Sequence, residues 1–457
     1  MATTTVSVGS NQSIATVTPS SASGSNPYTV AFGSSPGSNA AVGDIVTMDD
    51  SANTGTTFIY LLTGISGSDY TLKYCSGGSG AASPTSITDE YGDQQDAVFK
   101  RAFSTISLFE AMVDDSSPSY WGSSDDVVGE LHSDSTFTDA TVTFDNKQSL
   151  SSVKLSVNSD DRHDGTAESG ALWKPTANSG HNQGILRIDI DNMTAEWLDI
   201  SLDSLDSRNT NKAIVLAGTN DENIVRNNLL HDKNGNPGNT GPFAIHGLGT
   251  GATTDNQYVL NNIIYNFVET SNDSLGAIIF YSWSGGLYVY NNTIYKLTAQ
   301  GGNKDAIGIR FGNSSTSVSY IKNNIVSTLS ASDDKAAYLK QSSSSTAHTA
   351  NNLSDTTTAA TWNAEDMGQN LNDSTALTGK SLADISFVST TGGSEDLHID
   401  EDSDCVDAGA DLGTTSGVEI DINGRNRDSQ GDTWDIGAHE LATDADTTGA
   451  AFIMFVD

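Results

Sequence analysis

Only two cysteines, Cys75 and Cys405, stand in 457 residues. That count excludes a disulfide framework and a cysteine-rich zinc site. Basic residues are scarce too: 21 Lys and Arg face 58 Asp and Glu, for a formal charge of −37. Nucleic acid and anionic membrane both need clustered Lys or Arg, so neither is expected as a partner. No run of about 18 apolar residues occurs, so no membrane-spanning helix is expected. The opening Met1-Ala-Thr-Thr-Thr has no basic start and no apolar core, which argues against a Sec leader and for synthesis in a cytoplasm. Charged residues make up 17% and hydrophobic ones 36%, the rest being dominated by Ser, Thr, Asn and Gly. Such a chain is too apolar for wholesale disorder and too poor in Leu, Glu and Lys for a helical bundle. An all-β fold remains.

Residues 1–98 alternate β-prone runs with Ser/Gly/Asn/Pro turns. Strands are expected at Thr3-Thr-Thr-Val-Ser-Val, Tyr28-Thr-Val-Ala-Phe, Asp44-Ile-Val-Thr-Met, Thr57-Phe-Ile-Tyr-Leu-Leu and Tyr70-Thr-Leu-Lys-Tyr. Five short strands suggest a small barrel or sandwich, a candidate for docking on a larger body. After a polar linker, Ser104 or Thr105 can cap a short helix that puts Ile106, Phe109, Met112 and Val113 on one face.

A repeat decides the fold of residues 99–360. Asn-Asn pairs fall at 227–228, 261–262, 291–292, 323–324 and 351–352, with spacings of 34, 30, 32 and 28. Apolar residues flank the second Asn of the first four pairs at fixed offsets, as in Val225/Asn228/Leu230 and Ile321/Asn324/Val326. One period upstream, Trp197/Ile200/Leu202 fits with Ile200 in the Asn place. A second register begins each coil at Ala213, Ala244, Ala277, Ala306 and Ala337, with spacings of 31, 33, 29 and 31. A period near 30 with short strands reads as a parallel β-solenoid, here of roughly eight coils. Asn228, Asn262, Asn292, Asn324 and Asn352 are expected to form a structural ladder, since an amide offers two donors and an acceptor to the coils above and below. Turn geometry that Asn tolerates is the plainer explanation. Residues 361–441 are expected to close the solenoid. Residues 442–457 read as a polar tether followed by an apolar strand, Phe452, Ile453, Met454, Phe455 and Val456, suited to strand addition as a cap or an assembly clasp.

Few residues suggest chemistry. Arg226 and Lys322 share an offset two before the ladder Asn, and Arg310 lies in another strand; each reads first as a surface residue. Asp161-Arg-His-Asp has no accompanying nucleophile motif and reads as a turn. Asp232-Lys-Asn-Gly-Asn begins like a Ca²⁺ loop, but Pro237 and Phe243 stand where that loop needs Gly and Glu. Asp421, Asn423, Asp428 and Asp435 are the better Ca²⁺ candidates, against a hydrogen-bonded closing turn. No other cofactor is expected. Tyr281, Trp283 and Tyr288 crowd one coil, where aromatic faces either stack sugars or pack between coils.

The Asn-Asn coils resemble the right-handed parallel β-helix repeats of the pectate-lyase-like superfamily. Asp396-Leu-His-Ile-Asp, Cys405-Val-Asp-Ala-Gly, Asp421-Ile-Asn-Gly-Arg and Asp435-Ile-Gly-Ala-His-Glu are similar to the choice-of-anchor-Q ending of phage and environmental members. The resemblance spans residues 101–441 and implies a fold, since that superfamily holds lyases, glycosidases, adhesins and tailspikes. The expectation is a non-enzymatic virion structural protein, a capsid decoration or a tail fibre or spike. Its partners would be other virion proteins, copies of itself (a trimer among the options) and glycans, and its place the virion surface or another extracellular one. A polysaccharide lyase or hydrolase and a bacterial adhesin are the alternatives.

Overall fold

The computed structural model describes residues 2–50, 56–77, 83–86, 96–115, 120–177, 183–203, 205, 212–218, 222–235, 242–248, 255–270, 274–281, 283–300, 304–311, 317–340, 345–355, 375–430 and 433–442. The expected apolar strand Phe452–Val456 lies outside them. The chain divides into two compact units, Met1–Asp161 and Arg162–Asp457.

The first unit holds a near-barrel antiparallel sheet in the order Ala15–Val17, Ala97–Lys100, Ile45–Asp50, Thr56–Ser66, Asp69–Ser76, Tyr28–Phe32 and Pro19–Ser23. Alternation turns Tyr70 and Leu72 inward beside Val30, Val46, Tyr60 and Phe99. Four of the five expected strands belong here. Thr3–Val8 does not: it runs parallel to Asp126–Leu131, which in turn pairs parallel with Ser152–Val157. β-propensity marks a strand without naming its partner. Helix α1, Ile106–Val113, is capped by Thr105, whose side chain accepts from Leu108 N at 3.2 Å; Ile106, Phe109 and Val113 are buried. Gly129 lets the Phe109 ring close on the middle strand, since a Cβ there would lie 2.5 Å from the ring.

The second unit is a solenoid of about five turns built from three parallel sheets. The first sheet stacks Met193–Glu196, Asn223–Arg226, Asn256–Leu260, Gly286–Tyr290, Val318–Lys322 and Thr346–Ala350. The second stacks Leu186–Ile188, Lys212–Leu216, Phe243–Gly247, Leu275–Phe280, Ala306–Phe311 and Lys335–Lys340. The third runs from Leu172–Trp173 through Asp199–Ser201, Leu229–His231, Ile263–Glu269, Thr293–Ala299 and Ile325–Ala331 to Leu353–Ser354 and Leu377–Thr378. The sequence suggested roughly eight coils; the third sheet stacks eight strands, while the three sheets together make about five full turns.

Like residues stack on like. Val225, Val259, Val289 and Ile321 form one fully buried column, and Leu230, Ile264, Ile294 and Val326 another. Burying each contributes about 1.5–3 kcal/mol, and only a neighbouring coil can complete the burial. Pairing also corrects the upstream register. Ile200 sits opposite Leu230, so Leu198 rather than Ile200 holds the ladder place, and its N–H donates to Asn228 Oδ1 at 3.0 Å. Apolar spacing alone could not resolve that two-residue slip, because Trp197, Leu198, Ile200 and Leu202 are all apolar and all buried.

Residues 375–430 and 433–442 pack on the solenoid. They comprise a one-turn helix, Leu382–Ile385, with a Ser381/Asp384 capping box, the hairpin Phe387–Thr391/Ser394–Ile399, and a run of turns. Ile385, Leu397, Ile399, Ile422 and Ile436 pack on Leu229, Ile263 and Ile325 of the third sheet. Val418 and Trp434 pack on Leu260 of the first.

Candidate functional site

Each Asn-Asn pair sits where the chain passes from the first sheet to the third, and its two members have different duties. The second Asn points between coils. Asn228 Nδ2 donates to Asn262 Oδ1 (2.9 Å), Asn262 to Asn292 (2.9 Å), Asn292 to Asn324 (3.0 Å) and Asn324 to Asn352 (3.0 Å). Each Oδ1 also accepts the backbone N–H of the preceding ladder Asn, and each Nδ2 reaches a carbonyl of the coil before, such as Val259 O from Asn292. These buried amides leave no polar atom idle, as burial demands.

The first Asn holds a left-handed backbone: φ is 54° at Asn227, Asn261, Asn291 and Asn323 and 53° at Asn351. Asn tolerates that region better than most residues. Its side chain faces outward and binds the closing segment. Asn227 and Asn261 donate to Ile420 O, Asn291 to Val418 O, and Asn351 to Ala408 O. Asn323 makes a two-way bridge, donating to Ala410 O (2.8 Å) and accepting from Ala410 N (2.9 Å). Sequence reasoning assigned the ladder to the second Asn of each pair, with turn geometry as the alternative; the second Asn makes the ladder bonds, the first takes the left-handed turn, and the strapping role of the first was missed.

Two of the basic residues considered for catalysis, Arg226 and Arg310, are engaged in packing. Arg226 pairs with Glu196 (2.6 Å) and donates to Ser416 O (2.6 Å), an approach that Gly417 permits. Arg310 lies 4.3 Å above the Tyr281 ring. In the Asp161-Arg-His-Asp run, Arg162 covers Trp197, His163 bonds Asn227 O at 3.0 Å, and Asp164 caps Thr166.

The Asp421 group is a set of backbone caps. Asp421 Oδ1 accepts from Asn423 N and Arg425 N and its Oδ2 from Glu440 N; Asp435 accepts from Asp407 N and Leu441 N. Asn423 Oδ1 meets His398, and Asp428 takes the indole N–H of Trp434. Burial pushes the Asp421 and Asp435 carboxyls up, while those N–H bonds and Arg427 pull them down. Among the described residues, the carboxylates close enough to share one ion are Glu110, Asp114 and Asp145, in the first unit. Burial and Asp114 push Glu110 up to about 7.

The three aromatics occupy two environments. Trp283 is 3% exposed and donates to Gly286 O at 3.2 Å, and Tyr281 packs with Phe243, His246 and Arg310. Tyr288 is the middle of a column in which Tyr258, Tyr288, Tyr320 and His348 stack at 4.7–4.8 Å, so both faces of its ring are occupied.

A cavity of about 630 Å³ opens between the third sheet and the hairpin, lined by Glu168, His231, Asp232, Tyr265, Glu395 and Asp396 among others. His231 is clamped between Asp199 (Nε2 to Oδ1, 2.8 Å) and Asp232 (Nδ1 to Oδ2, 2.8 Å). Burial alone would lower its pKa, but the two carboxylates outweigh burial and push it up to about 9, so it is an imidazolium at neutral pH. The Tyr265 ring stacks on it at 5.3 Å. Asn266 Nδ2 bridges Asp232 Oδ1 (3.0 Å) and Glu395 Oε1 (2.7 Å). One wall of the site follows the repeat: His231, Tyr265, Tyr295 and Ser327 all stand three residues after a ladder Asn and pair in register, whereas the hairpin residues opposite carry no such signal.

Comparison of the chain with protein-family models, curated proteins and solved structures finds no match.

Proposed function

We propose that the protein is a non-enzymatic structural component of a phage particle, a capsid decoration or a tail fibre or spike, which presents a β-solenoid to glycans outside. The sequence resemblance to phage-type β-helix proteins suggests this class. The observation that carries the non-enzymatic part is the use made of the buried asparagines. One row ties coil to coil and the other ties the coils to the closing segment, so polar groups are committed to a fixed frame. Arg226, the Asp421 carboxylate and His163 are likewise committed to partners within that frame.

A polysaccharide hydrolase is the rival reading, and one observation favours it. The carboxylates of Asp232 and Glu395 share one amide nitrogen, which sets their oxygens within about 6 Å, close to the separation of about 5–5.5 Å in retaining glycosidases. Against it, Asp232 is already paired with the His231 imidazolium.

The test has two arms. Peptides of this chain should be recovered by mass spectrometry from density-purified particles of the producing culture. The purified protein should release no reducing or unsaturated ends from acidic, neutral or amino polysaccharides. Absence from particles rejects the display reading, and release abolished by Glu395→Gln establishes the hydrolase.

A further inference from the structure

The hydroxyl of Tyr265 stands out within the cavity. The residue is 2% exposed and lines the cavity, yet its Oη has no hydrogen-bond partner among the described residues. Facing the cavity without a protein partner, this hydroxyl is free to donate to a ligand atom there. Around it the walls carry acceptors. Asp232 and Glu395 come from opposite sides, and Glu168 and Asp396 stand at the rim.

The groups fix what the occupant must offer. Tyr265 keeps its proton, because burial and the charges of Asp232, Asp199, Glu395 and Glu168 all raise its pKa, so it donates to an acceptor. The carboxylates accept from donors. A ligand with both, arrayed on a compact frame, is a polyhydroxylated ring. Charge decides further. Glu168, Asp232, Glu395 and Asp396 face the imidazolium of His231, His398 beside Asp396, and Lys296 at 3.7 Å from Glu395. Lys174, paired with Asp203, also acts on Glu168 and Asp232; with Asp199 behind His231, the carboxylates still outnumber the cations. An anionic uronate would meet repulsion there, whereas a protonated amine would meet an excess of carboxylate; the Glu168 side chain is exposed and makes no hydrogen bond or close ion pair among the described residues. The volume falls within the range of sites for small ligands.

We propose that this cavity binds a sugar unit with a free, protonated amine, a hexosamine that accepts from the Tyr265 hydroxyl and places its ammonium against the Glu168, Asp232 and Glu395 carboxylates. The inference deepens the glycan-binding part of the proposed function and rests on that part alone.

Calorimetric titration of the full chain tests it with three probes: a chitosan tetramer, its fully N-acetylated counterpart and a tetragalacturonate. The chitosan tetramer should bind at least tenfold more tightly than the other two. Tyr265→Phe and Glu168→Gln should each weaken it at least fivefold with an unchanged melting temperature. Both changes keep the shape of the side chain, so folding is preserved. Equal binding of the N-acetylated tetramer, no binding of chitosan at millimolar concentration, or binding indifferent to both substitutions overturns the proposal. Presence in purified particles is scored separately: particles that carry a chain unable to bind chitosan sink this inference alone, and a chitosan-binding chain missing from particles sinks the display reading alone.

Discussion

Asn292 Nδ2 donates to Asn324 Oδ1 at 3.0 Å, while Asn291, one residue earlier, reaches out to Val418 O. Adjacent residues of one type thus serve the inside and the outside of the same turn. The division follows from backbone geometry, since the left-handed φ of Asn291 turns the chain so that successive side chains leave in different directions.

Replacing Asn292 with Leu removes its bonds to Asn324 Oδ1, Val259 O and Tyr290 O and strands the N–H of Asn262. Each unsatisfied group costs about 1–3 kcal/mol. Asn292→Leu should lower the melting temperature by several degrees in calorimetry; a change within one degree would mean that the ladder bonds contribute nothing net.

Chelation should leave the melting temperature unchanged, because the Asp421 oxygens are filled by three backbone N–H groups. Asp421→Ala should lower it strongly, since a buried cap with charge-assisted bonds contributes about 2–5 kcal/mol of stability. A chelator-induced fall that Asp421→Ala abolishes would place Ca²⁺ in this turn after all.

The β-solenoid was legible in the sequence because stacked coils repeat the same side chain at the same place, and a period of 30 survives in one dimension. The cavity was not legible as a site. Asp232 and Glu395 are 163 residues apart, and only the fold brings them to the same Asn266 amide. The strapping role of the first Asn was hidden for the same reason, since its partners between Ala408 and Asp421 carry no repeat and offer only backbone groups. Thr3–Val8 was placed with its sequence neighbours although its partner lies past residue 120.

His231 gives a pH signature. Below pH 6.5 it is charged in both folded and unfolded chains, so its pairs with Asp199 and Asp232 contribute fully. As pH rises from 6.5 through about 9 the unfolded chain sheds the proton first, and up to on the order of 3 kcal/mol is lost. The stability advantage of the native protein over His231→Gln should therefore shrink between pH 6 and pH 9.5. An advantage that stays constant or grows over that range would show that His231 is neutral in the fold.

Hydrogen exchange read by mass spectrometry on Asn323→Gly and Asn324→Leu separates the two rows most directly. Glycine keeps the left-handed backbone at 323 and deletes only the amide. The account predicts that Asn323→Gly speeds exchange in residues 408–421 and leaves the coils protected, whereas Asn324→Leu speeds exchange in the strands around Val289, Ile321 and Leu353. The same pattern of deprotection in both variants, or protection of 408–421 unchanged in Asn323→Gly, would contradict a division of labour between the paired asparagines.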